Sequence, residues 1–199
     1  MIHSLRIKIY QPTAHFRLPF TYQRRHTYPI PPYSTVIGFL CNMLGVDHHE
    51  NKLFKELQKC KLSVSGCFDT KLTEYIWFRN LSKKSHVNYF GSENIREKNG
   101  EINHPGGQSP MKIDVLENMQ LTIHLASEDA TFIKYLHNYL HNPTNRLETM
   151  HLGRAEDWLV FEELEMVFLE PTDKHKNYNR FFWIPQHIWL PEKQKLQTI

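Results

Sequence analysis

The sequence is short of cysteine, of long apolar runs and of net charge, and each shortage removes a class of answer. Its three cysteines, Cys41, Cys60 and Cys67, are too few for a disulfide framework. Their spacing also misses the paired C-x-x-C pattern of a structural zinc site. No stretch reaches the roughly 18 consecutive apolar residues of a membrane span. Met1 to Tyr10 alternates instead of forming the apolar block of a secretory leader. The formal charge is only +3, from 24 basic and 21 acidic residues, so nucleic acid is permitted as a partner but not required. Neither a G-x-S-x-G elbow nor a Walker loop occurs. These absences predict a soluble, cytoplasmic protein without membrane contact, cofactor or metal.

What is present suffices for a substantial core. Of 199 residues, 40% are apolar and 13% aromatic, which fits one domain and argues against general disorder. Thirteen histidines add latent positive charge near neutral pH. Leu5, Ile7 and Ile9 alternate with Arg6, Lys8 and Tyr10, as in a strand with one buried face. Gln11 to Pro32 reads as a loop carrying five prolines. Ser34 then stands at a helix N-cap position. Val36, Phe39, Leu40, Met43 and Leu44 follow at i, i+3, i+4, i+7 and i+8, and Gly45 is a natural stop.

A short helix is predicted over Asn51 to Gln58, and extended chain over Lys61 to Asn80. Ser82 to Pro110 is the most polar stretch. An insert of that length inside a compact domain is usually functional or disordered. Met119, Leu121, Ile123 and Leu125 mark another strand. Ser127-Glu128-Asp129 caps a helix bearing Phe132, Leu136, Tyr139 and Leu140, ended by Asn142-Pro143. A last strand covers about Trp158 to Leu169. Four large aromatics in the tail after Pro171 (Phe181, Phe182, Trp183 and Trp189) predict that it packs on the domain, because their exposure would favour aggregation. The resulting order, βαββαβ, predicts an α+β, ferredoxin-like (RRM-like) domain over residues 1–199, the topology of RNA-recognition modules.

Several constellations have a plain structural reading beside a functional one. Tyr75 and Trp77 share a strand face, but no RNP motif surrounds them and core packing is the expectation. In Asp47-His48-His49-Glu50 the H-E-x-x-H pattern fails at its second histidine, so solvated surface is preferred to a metal site. Gly106-Gly107 reads as a tight turn. Arg17, Arg24, Arg25 and His26 precede the first helix, and Ser34 and Thr35 begin it. A helix N-terminus with arginines nearby can hold phosphate, or the loop can simply be solvated. Gly153-Arg154-Ala155-Glu156-Asp157 can form a ligand loop, or Arg154 can pair internally with Glu156 or Asp157.

Together, "AHFRLPF" (Ala14 to Phe20), "HTYPIPPYSTVIGFLCNMLG" (His26 to Gly45) and "HLGRAEDWL" (His151 to Leu159) resemble the CRISPR-associated Cas-five proteins of the RAMP superfamily. The resemblance implies a ferredoxin-like domain with a long β-hairpin thumb, which falls at about residues 82–110. It also implies a subunit at the foot of a type I Cascade complex. Such a subunit binds the 5′ handle of the crRNA and contacts a Cas-eight-type large subunit and a Cas-seven-type backbone subunit, with target DNA near the protospacer-adjacent motif as a further possible contact. The short chain and the G-R-A-E-D loop look most like subtype I-B. Tyr28, Ser34, Thr35, Gly38, Arg17, Gly153 and Arg154 stand on the family pattern. Gly38, opposite the apolar stripe, would allow close backbone approach. Lys83, Lys84 and His86 are added on charge alone. No catalytic residue is assigned. A crRNA-processing endoribonuclease of the subtype I-C kind and a purely protein-binding adaptor remain the alternatives.

Overall fold

A computed structural model describes residues 2–21, 24–79, 108–170 and 179–184, with short pieces at 87–88, 91, 97–98 and 101–102. The lysines and histidine at the start of the polar insert (Lys83, Lys84 and His86) lie outside the described residues, as do Gly106-Gly107 and Trp189.

The central element is β1 (Ile2–Ala14). Its alternation places Leu5, Ile7 and Ile9 at full burial on one face. β1 lies between two antiparallel partners, β9 (Gln108–Ala126) and β10 (Val160–Leu169). β5 (Lys61–Cys67) pairs with the far edge of β9, and β11 (Phe181–Phe182) pairs with β5. The order across the sheet is therefore β10-β1-β9-β5-β11, all antiparallel. Leu5 faces Leu125, Ile7 faces Ile123 and Ile9 faces Leu121 across one ladder, while Val64 meets Ile123 from the other side. This register brings the apolar residues onto one face, where the helices cover them.

Helix α1 (Tyr33–Leu44) buries Val36, Phe39, Leu40, Met43 and Leu44, the residues that its spacing predicts. Its start is not the predicted one. Pro32, not Ser34, is the N-cap, and no side chain caps the helix. The Pro32 carbonyl accepts from Thr35 N at 3.0 Å and Val36 N at 3.2 Å, so proline's fixed φ sets the first turn and Ser34 falls inside it. Gly45 closes the helix at φ +71°, a left-handed position that suits glycine. α2 (Lys52–Lys59) is capped by the Asn51 side chain. α3 (Ala130–Leu140) is capped by Asp129, which accepts from Thr131 N and Phe132 N. Phe132, Ile133, Leu136 and Leu140 of α3 join the same core.

The sheet has a projecting ribbon. β6 (Thr70–Arg79) pairs with the first half of β9, from Thr70 opposite Glu117 to Arg79 opposite Gln108. β9 thus serves the ribbon with its first half and the sheet with its second. Between them Asn118 takes a left-handed φ of +53°. Its side chain bridges the two parts, accepting from Tyr10 Oη and donating to Asp69 Oδ2, both at 2.9 Å. Tyr75 and Trp77 stand on this ribbon at 71% and 69% exposure, which overturns the expectation that they are core. Lys112 Nζ lies 5.2 Å from the Tyr75 ring centroid, a cation–π contact.

The described part of the C-terminal segment lies against the sheet and the proline-rich entrance to α1. Trp183 Nε1 donates to the Pro31 carbonyl at 2.8 Å, and its ring meets Tyr28 edge-on at 5.4 Å. Phe181 stacks on Phe68 at 5.5 Å. No helix among the described residues is long and apolar enough to cross a membrane. Leu40 is fully buried in the core. Leu40→Ala should lower stability by about 2–5 kcal/mol. A reduced urea midpoint at unchanged slope would be the observation.

Candidate nucleic-acid interface

The site grows from the end of β1. β2 (Phe16–Arg17) and β4 (Thr27–Tyr28) form a small antiparallel pair, in which Phe16 N donates to Thr27 Oγ1 at 2.8 Å. Between them β3 (Arg24–Arg25) runs parallel to β9 at Lys112 and Ile113. These short strands carry Arg17, Arg24, Arg25 and His26 to the edge of the sheet where α1 begins. The loop 150–158 arrives from the other side, held by the bridge between His151 and Trp158.

Two buried carboxylates organise these elements. Asp157 has no exposed surface. It accepts from Thr13 Oγ1 at 3.1 Å, His15 N at 3.0 Å, Arg154 N at 2.9 Å and Arg154 Nη2 at 2.7 Å. Arg154 Nε adds contacts of 3.2 and 3.1 Å to the two carboxylate oxygens. The carboxylate therefore ties the loop to β1 and holds the guanidinium in a planar fork. Burial alone disfavours the Arg154 charge, but Asp157, Glu156 and Glu74 outweigh it and hold its pKa above the ordinary value. Gly153 is required beside this fork. Its φ is +116°, and a Cβ there would lie 2.8 Å from the His15 carbonyl oxygen and 3.0 Å from Asp157 Oδ2.

Asp114 is the second carboxylate, 1% exposed. It accepts from Arg24 Nε at 2.8 Å and Thr73 Oγ1 at 3.2 Å, and pairs with His26 Nδ1 at 2.8 Å. Burial pushes its carboxyl up, yet the hydrogen bonds from His26, Arg24 and Thr73 together pull it below the usual carboxylate range. Its backbone carbonyl lies 2.7 Å from His15 Nδ1.

A cleft of about 280 Å³ opens between these two anchors. Its walls include Arg17, Arg25, Thr35, Gly153 and Arg154, all predicted site residues, together with His15 and Phe16. Arg17 is exposed and has no acidic partner among the described residues. Arg25 is half-buried, and burial followed by the Arg17 charge lowers its pKa. Three guanidinium groups and a threonine from the first turn of α1 converge here. Such a surface can hold phosphate oxygens by charge-assisted hydrogen bonds. Glu156 and Glu74 lie at 3.4 and 3.9 Å from Arg154 Nη1 and bound the positive region on one side.

The other predicted residues are placed elsewhere. Arg24 and His26 face Asp114. Tyr28 packs on Trp183. Ser34 and Gly38 line a separate, largely apolar groove of about 680 Å³ between α1 and α2. A Cβ on Gly38 would meet nothing within 4 Å, so its missing side chain answers to no contact among the described residues. Sequence reasoning passed over His15 and Asp114. His15 sits inside the quoted segment "AHFRLPF" but had no spacing to mark it, and Asp114 lies 90 residues from Arg24.

A mixed α/β fold with a mostly antiparallel sheet, few helices and a cationic cleft at one end is the class that these observations define. The family model of CRISPR-associated protein (Cas_Cas5) matches residues 4–198, and the chain belongs to that family. Among solved structures, it is similar to a chain of a CRISPR RNA-guided surveillance complex, at 16% identity and a TM-score of 0.53 over 78% of this chain. The present chain spans 59% of that chain's length. A Cas protein crystal structure matches at 17% identity and a TM-score of 0.46, covering 78% of this chain and 58% of that one. No curated protein matches the sequence.

Removing the Asp157 carboxylate strands a half-buried guanidinium and three further donors, Thr13 Oγ1, His15 N and Arg154 N. Asp157→Ala should destabilise the fold by about 3–5 kcal/mol in chemical denaturation, and Asp157→Asn by less. For Asp114 the folded pKa is depressed, so its stabilisation is fully present above the ordinary carboxylate range. It is lost as pH falls through the depressed value. Asp114→Asn should therefore cost stability at pH 7 and progressively less as the pH is lowered below the ordinary carboxylate range, which denaturation midpoints across such a pH series would report.

Proposed function

We propose that this protein is the Cascade subunit that binds and caps the 5′ handle of a crRNA, without cutting it. The observation that carries the reading is the cleft in which Arg17, Arg25 and Arg154 converge beside Thr35, in a chain of this family. A solved chain of similar fold comes from a CRISPR RNA-guided surveillance complex, which supports the same assignment. The order β10-β1-β9-β5, with α1 and α3 on the connections, supports a ferredoxin-like βαββαβ core. On this reading β6 and the first half of β9 are the base of the thumb.

Arg17 and Arg25 grip backbone phosphates, and Arg154, fixed by Asp157, presents its remaining edge to the same strand. The apolar groove carrying Ser34 and Gly38 is left for protein partners, a Cas-seven-type backbone subunit or a Cas-eight-type large subunit. The G-R-A-E-D loop from Gly153 to Asp157 supports subtype I-B. Metal-free RNA cleavage needs a base, a leaving-group acid and cationic support. Among the described residues the cleft is lined by arginines and one histidine, and no carboxylate lines it.

The test is binding of the repeat-derived 5′ segment, as single-stranded RNA, to the full chain across a salt series. Three phosphate contacts predict a slope of about −2 in log K against log salt, at about −0.7 per phosphate. Arg17→Ala should weaken binding about tenfold and flatten that slope by about 0.7, since the Arg17 side chain has no acidic partner among the described residues. A slope near zero favours the protein-binding adaptor. A single defined cut in the RNA would establish the endoribonuclease instead.

A further inference from the structure

His15 is only 5% exposed and lines the arginine cleft. Its Nδ1 lies 2.7 Å from the Asp114 carbonyl oxygen. A carbonyl can only accept, so Nδ1 carries the proton of this contact. The opposite nitrogen, Nε2, is buried and has no hydrogen-bond partner among the described residues. Buried polar atoms are satisfied in the great majority of cases, so an orphan at a ligand cleft calls for an explanation. Burial pushes this imidazole below its ordinary range. The contact with the Asp114 carbonyl opposes the shift, and the Arg154 charge adds to it. With Nδ1 donating to the carbonyl and burial disfavouring the charged ring, Nε2 is left with an unused lone pair.

A pure acceptor among three cations is a poor neighbour for a phosphodiester, whose oxygens also only accept. It suits a ligand that carries a donor at a fixed, short distance from a phosphate. Every ribonucleotide has one, the 2′-hydroxyl beside its 3′-phosphate, and deoxyribonucleotides lack it. We infer that His15 Nε2 accepts a hydrogen bond from a ribose 2′-hydroxyl in this cleft and so makes the site selective for RNA over DNA. The cleft, about 280 Å³, lies at the lower edge of the roughly 300–1,000 Å³ range of ligand sites, which fits one sugar-phosphate unit. Two features place that unit. The guanidinium of Arg154 is immobilised by Asp157, and Gly153 brings the loop backbone against the His15 carbonyl.

The inference rests on the handle-binding reading, and one set of probes separates the two. The handle RNA, the DNA of the same sequence and RNAs with a single 2′-deoxy substitution at each position are titrated against the full chain. Wild type should prefer RNA by about tenfold, with most of the preference lost at one deoxy position. His15→Asn keeps an amide donor for the Asp114 carbonyl and removes the distant acceptor. It should weaken RNA about tenfold, leave DNA unchanged and abolish the penalty at that position. Arg17→Ala should weaken RNA and DNA alike. Equal binding of RNA and DNA by wild type overturns the inference and leaves handle binding standing. So does a deoxy penalty that persists in His15→Asn, or base preference without any deoxy penalty, which would make a base N–H the donor. Binding of neither nucleic acid overturns both readings. If His15→Asn does not fold, the deoxy series on wild type decides alone, and the absence of a sensitive position sinks the proposal.

Discussion

The buried carboxylate of Asp157 is the contact on which the site depends. A side chain without solvent exposure accepts from β1, from the loop backbone and from the Arg154 guanidinium at once. Each of these donors would be costly to leave unpaired in the interior. One carboxylate therefore fixes the loop, the strand end and the cation in a single geometry. Asp114 does the same from the opposite side for Arg24, His26 and Thr73. The cleft is the gap between two satisfied anion centres. Arg17 is the cleft cation that neither centre neutralises.

This division explains why charge alone was a poor guide. The sequence around Arg17 to His26 reads as one basic cluster. Folding sorts it into cations that hold the protein together and cations that face outward. The partner of Arg154 was legible, because Asp157 follows at i+3. The partner of Arg24 and His26 was not, because Asp114 arrives on β9 from 90 residues away. His15 was equally silent: its role depends on the Asp114 carbonyl fixing one ring nitrogen and on burial orphaning the other, and neither is a property of spacing.

The fold was legible where one face of an element is buried. Leu5, Ile7 and Ile9 alternate, and Val36 to Leu44 follow the helical period. Both patterns persist because water lies on one side only. The start of β9 was missed for the converse reason. Ile113, Asp114, Val115 and Leu116 are all buried in succession, flanked by β3 and β6 as well as β1, so no alternation remains to be read. Tyr75 and Trp77 misled in the opposite sense. Their size argued for the core, but they lie on a ribbon that projects beyond it.

The continuity of β9 also fixes the mechanics of that ribbon. A projection grafted through two loops could swing freely. This one is the same strand as the floor of the sheet, stiffened along its length by the β6 ladder. At Asn118 the backbone turns left-handed, and one amide side chain braces Tyr10 and Asp69. The inner half of β9 pairs with β1, the strand that leads into His15. The ribbon and the cleft are joined through one continuous strand, since β9 carries the β6 ladder and also supplies Ile113 to the cleft wall.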